Sequence, residues 1–409
     1  MIKAKKIENV IVSIVLITLL AIVLSLSILG NSNYLIYFYF IAFTIQCILF
    51  AFFLINKKVQ FSKKSFLLLL LYFISLFLPI IGNFFLGIDT NIYDILGIII
   101  RFVNFILFYC ICEKSIVKKE QLRKLFKFFI IIGFISCIYN YLFCFDEIQK
   151  IVTASSSYQV NVRSFFHNRN MFGEFMFISM LSTFYYYEGK KSKTKLLLIF
   201  LFSITAFLTF SRSAIFSVFL LLLYFYFKKY GNKRINVIVM LLGLVIAVYI
   251  LLGPAVKYLN LFIIRSDNFS TGRSSIWEYG FKVFKNNPIV GVGNYTAVGL
   301  AEQNGFTHSQ FHSFFIETLA GYGLVGLFVY AIMIIPLFKK TILKLKKTKN
   351  LYYRHCVIVS FLILFIKMFI ESISFFSVGY SDLITTLFYI SIPLLLNNIE
   401  GNEEDGEIK

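Results

Sequence analysis

Residues 65–86 read SFLLLLLYFISLFLPIIGNFFL, a run without a single charged side chain. A helix needs about 20 mainly apolar residues to cross the hydrocarbon of a bilayer, so this stretch predicts a membrane span. Other runs of suitable length lie near 9–30, 33–55, 92–112, 124–146, 171–188, 196–210, 212–229, 235–252, 312–337, 353–373 and 379–397, twelve with the first. The two runs within 196–229 are joined only by Thr209-Phe210-Ser211. The expected fold is an all-α integral membrane protein of about 12 transmembrane helices, a single polytopic domain over 1–409. No internal repeat, low-complexity linker or soluble domain interrupts it.

Composition points the same way. Of 409 residues, 59% are hydrophobic, 19% aromatic and only 15% charged, with 51 phenylalanines. Soluble domains are roughly 45–50% apolar and about 25% charged. A soluble core, a disordered chain, a collagen-like fibre and a disulfide-stapled secreted domain are all excluded. None of the six cysteines forms a CxxC pair, and all lie in or beside apolar runs, where they read as packing residues. The start, Met1 to Lys6 and then apolar residues to about Gly30, imitates a signal peptide. Its apolar run is too long for one, and further spans follow, so it reads as a retained anchor.

A net charge of +20 in a soluble protein suggests nucleic acid. In a membrane protein it suggests cytoplasmic loops rich in Lys and Arg. With the N-terminus inside, 29 Lys and Arg fall on inner segments and nine on outer ones. That asymmetry predicts both termini in the cytoplasm and no nucleic-acid partner. It also makes the outer basic residues informative, because few are expected there. Arg163 and Arg169 fall in an external loop at 147–170, Arg212 in the short turn, and Arg265 and Arg273 in a large external loop at 253–311. His167, His308 and His312, three of the four histidines, share that face. An anionic substrate handled at the outer surface is the expectation.

Each motif also has a plainer explanation. Asn170 is placed to cap the sixth span, yet capping accounts for one Asn of a cluster that also holds Arg163, Asn168 and Arg169. Arg212 opens the eighth span, where an arginine snorkelling to headgroups is the competing account. Arg273 falls in the first turn of an amphipathic helix running to about Asn286. Its apolar face is Ile276, Trp277, Phe281 and Phe284, and the single Trp is expected to anchor it on the bilayer surface. Pro288-Ile289-Val290-Gly291-Val292-Gly293 then reads as a tight turn back toward the membrane. His308 and His312 stand four apart, as metal ligands on a helix do, but no acid or Cys nearby completes a site. Gly321-Tyr322-Gly323-Leu324-Val325-Gly326 spells a dinucleotide fingerprint without the strand it needs, and close helix packing is the better account.

Within spans, Lys367 and Glu371 are expected to pair with each other, four apart on one helix. Arg101 has Asp94, Glu174 and Glu317 as open choices. Glu317, one turn below His312, is a candidate to orient it, with a structural salt bridge as the alternative. In the predicted topology the sixth, eighth and tenth spans all begin at the outer face. Their positive dipole ends, with Arg169, Arg212 and His312 at the starts, would make a cationic cup suited to a lipid-linked pyrophosphate. No outer Asp-x-Asp pair offers a metal site.

As an ensemble over roughly 160–330, these pieces resemble the O-antigen ligase and polysaccharide polymerase superfamily (Wzy/WaaL-type). They are Phe165 to Phe172 with its Asn residues, Thr209-Phe210-Ser211-Arg212-Ser213, Gly272-Arg273 through Trp277 to Gly293, and His312-Ser313-Phe314-Phe315-Ile316 followed by Gly321, Gly323 and Gly326. The resemblance implies a metal-independent inverting membrane glycosyltransferase without cofactor, acting on undecaprenyl-pyrophosphate-linked glycans as donor and acceptor. By position it implies pyrophosphate binding by Arg212 and Arg273, with Arg163 or Arg169 assisting, and catalysis by His312. The family often has His-Asn where this chain has His312-Ser313, which leaves His308 as an alternative base. A repeat-unit polymerase for capsule, exopolysaccharide or O-antigen in the cytoplasmic membrane, active site outward, is the expected function. The bias toward Lys, Ile, Asn and Phe points to an AT-rich, Gram-positive source and favours polymerase over ligase. A lipid-linked oligosaccharide flippase is the alternative of another class. A flippase and a chain-length regulator are candidate partners.

Overall fold

Long apolar runs form helices because, away from water, only intrasegment hydrogen bonds satisfy the backbone. In the computed structural model, residues 63–99, 119–153, 161–166, 168–230, 273–306, 310–347 and 351–372 are described, with the isolated positions 44, 48, 51, 388, 389 and 392. The expected spans at 9–30, 33–55, 235–252 and 379–397 fall outside them, apart from those isolated positions, as do much of 92–112, parts of both external loops, Arg101, His167, Arg265 and His308. Every regular element among the described residues is helical. The helices are α1 (Lys63–Leu86), α2 (Lys119–Phe143), α3 (Phe145–Thr153), α4 (Arg169–Tyr186), α5 (Lys193–Leu208), α6 (Arg212–Tyr230), α7 (Arg273–Asn286), α8 (Asn294–Gln303), α9 (Phe314–Lys347) and α10 (Leu351–Ile370). Four of them, α1, α2, α9 and α10, contain stretches long and apolar enough to cross a membrane, and α6 contributes a shorter apolar helix.

The chain divides into two compact units, 1–128 with 273–355 and 365–409, and 129–272 with 356–364. In the second, α4 is the central helix. It is buried almost continuously from Phe172 to Tyr185, as expected of a helix without a polar face, and packs on α5 and α6. Gly133 of α2 lets Ser179 of α4 approach so closely that a Cβ there would lie 2.7 Å from the Ser179 Cβ. The opposite face of α5 turns Leu196, Leu197 and Phe200 outward, with Phe200 64% exposed. A row of that kind suits lipid rather than water.

In the first unit, Tyr72 and Leu76 of α1 meet Val329 of α9 and Ile98. A second cluster joins α7, α8 and the start of α9 through Ile276, Val283, Val292, Ala297, Phe311, Ile316 and Ala320. The buried stripe of α7 is thus Ile276, Gly280 and Val283, whereas Phe281 is exposed. The expected apolar face was rotated, because α7 packs against protein as well as presenting a surface.

The glycine-rich sequence 321–326 has a different role from the close helix packing expected. Gly323 takes φ 62°, ψ −160° and breaks α9. The 288–293 turn lays its backbone into the break: Val292 and Gly293 donate to the carbonyls of Ala320 and Gly321 at 3.1 and 2.7 Å, and Leu324 and Val325 donate to Pro288 and Ile289 at 2.9 and 3.0 Å. Gly291, at φ 68°, has no room for a Cβ, which would sit 2.5 Å from the Gly321 carbonyl carbon. Asp94 then caps α8 from another part of the chain, accepting the Tyr295 and Thr296 amides at 2.9 and 2.8 Å and the Thr296 hydroxyl at 2.8 Å. These contacts fix the turn between α7 and α8 against α9.

Candidate active site

The His312 cluster lies wholly within the first unit. α9 begins at Phe314, two residues later than the expected start of that span. His312 therefore stands in the loop before the helix, with φ at +53°, and among the described residues nothing places it on a helical face with His308. Arg273 is the first residue of α7. Glu371, just past the end of α10, joins the two. Its Oε1 lies 3.3 Å from Arg273 Nη2, and its Oε2 lies 3.8 Å from His312 Nδ1. Its backbone carbonyl also accepts the Phe314 amide at 3.1 Å, one of the free donors at the start of α9.

This replaces two sequence expectations. Glu371 was paired with Lys367 alone; it does feel the Lys367 charge, but its carboxylate oxygens face Arg273 and His312. Glu317 was the candidate to orient His312; it accepts the Asn294 side-chain amide at 2.7 Å. The Asn294–Glu317 contact, the capping of α8 by Asp94, the Gln310 contact and the bridging role of Glu371 were not read from sequence. Their one sequence signal was that Asp94, Glu317 and Glu371 are acids within or beside apolar spans.

The electrostatics suit a base. The side chains of His312, Arg273 and Glu371 are 20, 29 and 14% exposed, enclosed enough to interact strongly and open enough to be reached. Burial tends to raise the Glu371 carboxyl, but the contact with His312 and the charges of Arg273, His312 and Lys367 outweigh it and hold the carboxyl below its ordinary range. An ionised carboxylate behind Nδ1 favours the tautomer protonated there, whose Nε2 can take a proton, and it stabilises the imidazolium that results. Gln310 Nε2 lies 3.1 Å from the same Nδ1; rotated by half a turn, its amide presents an acceptor to Nδ1–H instead.

In the second unit, Asn168 and not Asn170 caps α4, its side chain accepting the Met171 amide at 2.9 Å. The cap precedes the helix, and α4 starts at Arg169, so Asn170 already lies inside the first turn. Asn170 is exposed there. Arg212 opens α6. The first turns of α4 and α6 lie side by side: a Cβ on Gly173 would fall 2.7 Å from the Ala214 Cβ and 3.0 Å from the Ser211 Cβ. Two of the three helix starts expected to converge do adjoin, and each begins with an arginine. Arg212 and Arg163 are exposed and Arg169 half-buried. Arg163 sits on a loop tied down by Ser164, whose hydroxyl donates to the Ser136 carbonyl at 2.8 Å. Positive helix ends of this kind can attract an anion. Among the described residues no group of three or more His, Cys, Asp or Glu is placed to hold a metal ion.

Residues 197–331 match the family described as O-antigen ligase. The match runs from α5 past the break in α9 and includes Arg212, Arg273 and His312. None of the curated proteins compared matches the chain.

Proposed function

Given a chain that belongs to the O-antigen ligase/Wzy superfamily, we propose that it polymerises undecaprenyl-pyrophosphate-linked oligosaccharide repeat units at the outer face of the cytoplasmic membrane. The twelve-span topology with both termini inside is part of this proposal. The observation that carries it is the Glu371 carboxylate set between His312 and Arg273. A base and a cation organised by one acid suit a reaction that removes a proton from a hydroxyl while negative charge builds on a phosphate.

In the proposed step, His312 takes the proton from an acceptor sugar hydroxyl. The hydroxyl oxygen bonds to the anomeric carbon, and the bond from that carbon to the lipid pyrophosphate breaks, the electron pair leaving with the phosphate. Attack opposite the leaving group inverts the centre. General-base help is typically worth about 10²–10⁴ in rate. Arg273 stabilises the departing pyrophosphate. One such charge about 4 Å from a phosphate contributes roughly 4 kcal/mol at an effective dielectric near 20. No step calls for a metal or cofactor.

The family description itself favours a second reading, transfer of a finished glycan to another acceptor. Supplying the purified protein with lipid-linked repeat units alone separates the two. A ladder of products supports polymerisation. Turnover only when a different acceptor is added supports ligation and overturns the polymerase reading.

A further inference from the structure

We infer that Trp277 is a positioning residue for His312, acting through the Phe311 carbonyl; the inference rests on the reading of His312 as the general base. His312 holds φ at +53°, a backbone state that residues with side chains adopt at a cost and keep only when their surroundings enforce it. Two hydrogen bonds bracket it. Before it, the Trp277 indole N–H donates to the Phe311 carbonyl at 2.8 Å; after it, the Phe314 amide donates to Glu371 at 3.1 Å. The Phe311 ring is fully buried and pressed against Gly280, where a Cβ would lie 3.0 Å from two of its ring carbons.

An indole has one donor and no acceptor, and this one is committed to the residue that precedes His312. Trp277 sits one turn after Arg273 on α7. A single helix therefore carries both the guanidinium that meets Glu371 and the indole that fixes the His312 turn. The sequence reading gave Trp277 only an apolar ring for the bilayer; the structure gives its N–H a task as well. Removing that N–H withdraws a donor from the Phe311 carbonyl and frees the turn. A displacement of about 1 Å at a reacting group can cost about 10²-fold in rate.

The test uses the full chain in detergent with isotope-labelled histidines, of which there are four, and the His312 resonance assigned with His312→Ala. Trp277→Phe keeps a ring and drops the N–H. The expected result is a displaced His312 resonance and a kcat on lipid-linked repeat units lowered at least about tenfold, with KM changed less than about twofold. An unmoved resonance with unchanged kcat overturns the inference. If even the unaltered chain turns over no glycan, the general-base reading fails. The resonance then decides alone: displaced, it supports the tie, and unmoved, it overturns it. Should Trp277→Phe not fold, the emission of this single tryptophan decides. Acid quenching by a neighbouring imidazolium that disappears in His312→Ala supports the tie; identical profiles in the two proteins overturn it.

Discussion

Glu371 Oε2 stands 3.8 Å from His312 Nδ1, and the two residues are linked a second time through the Glu371 carbonyl, which holds the Phe314 amide at the start of α9. One acid therefore sets both the backbone beside the histidine and the charge behind its ring. A contact of 3.8 Å exceeds an ordinary hydrogen bond. Such contacts often tighten only when substrate arrives.

Replacing Glu371 with Gln keeps its shape and removes its charge. The expected outcome is a kcat lowered by about 10–10²-fold with a smaller change in KM, because an imidazolium without its carboxylate is disfavoured in the transition state alone. Steady-state kinetics of Glu371→Gln check this.

The same pair gives a pH signature. The Glu371 carboxyl titrates below its ordinary range in the fold. Its ionised form therefore stabilises the protein above the unfolded carboxylate value, and the stabilisation is lost as pH falls through the lowered one. Thermal unfolding should show a constant gap between wild type and Glu371→Gln above about pH 5, narrowing at acid pH below about 4.

The cap of α4 distinguishes two neighbouring asparagines. Asn168→Ala removes the acceptor for the Met171 amide and should destabilise by about 1 kcal/mol. Asn170→Ala, exposed within the first turn, should change stability by less than about 0.5 kcal/mol. Paired denaturation curves resolve the difference.

Gly291→Ala puts a Cβ 2.5 Å from the Gly321 carbonyl carbon at a residue with φ 68°. The 288–293 turn cannot then seat in the break of α9. A stability loss of about 3 kcal/mol or more is expected from the clash and the backbone strain together, measured as a lowered unfolding midpoint.

The features legible in sequence were those written locally. Long apolar runs gave α1 and α10, Thr209-Phe210-Ser211 gave the break between α5 and α6, and Arg273 was placed correctly in the first turn of its helix. What escaped depended on partners distant in the chain. The spacing of Lys367 and Glu371 offered a local pair, and nothing in that spacing reveals a histidine and an arginine arriving from other elements. The run 321–326 looked like helix-packing glycines because the turn that docks there is set by backbone hydrogen bonds, which leave no side-chain signature. The rotated face of α7 follows from the same limit: periodicity locates an apolar stripe but not which flank the neighbouring helix covers.

In the proposed reaction His312 is the base of a glycosyl transfer. The most direct test supplies the purified protein with lipid-linked repeat units and compares wild type with His312→Ala, matched for folding by thermal melt. A product ladder from wild type and a loss of at least about 10²-fold in His312→Ala are expected. A His312→Ala protein that builds the ladder at the wild-type rate would contradict that role.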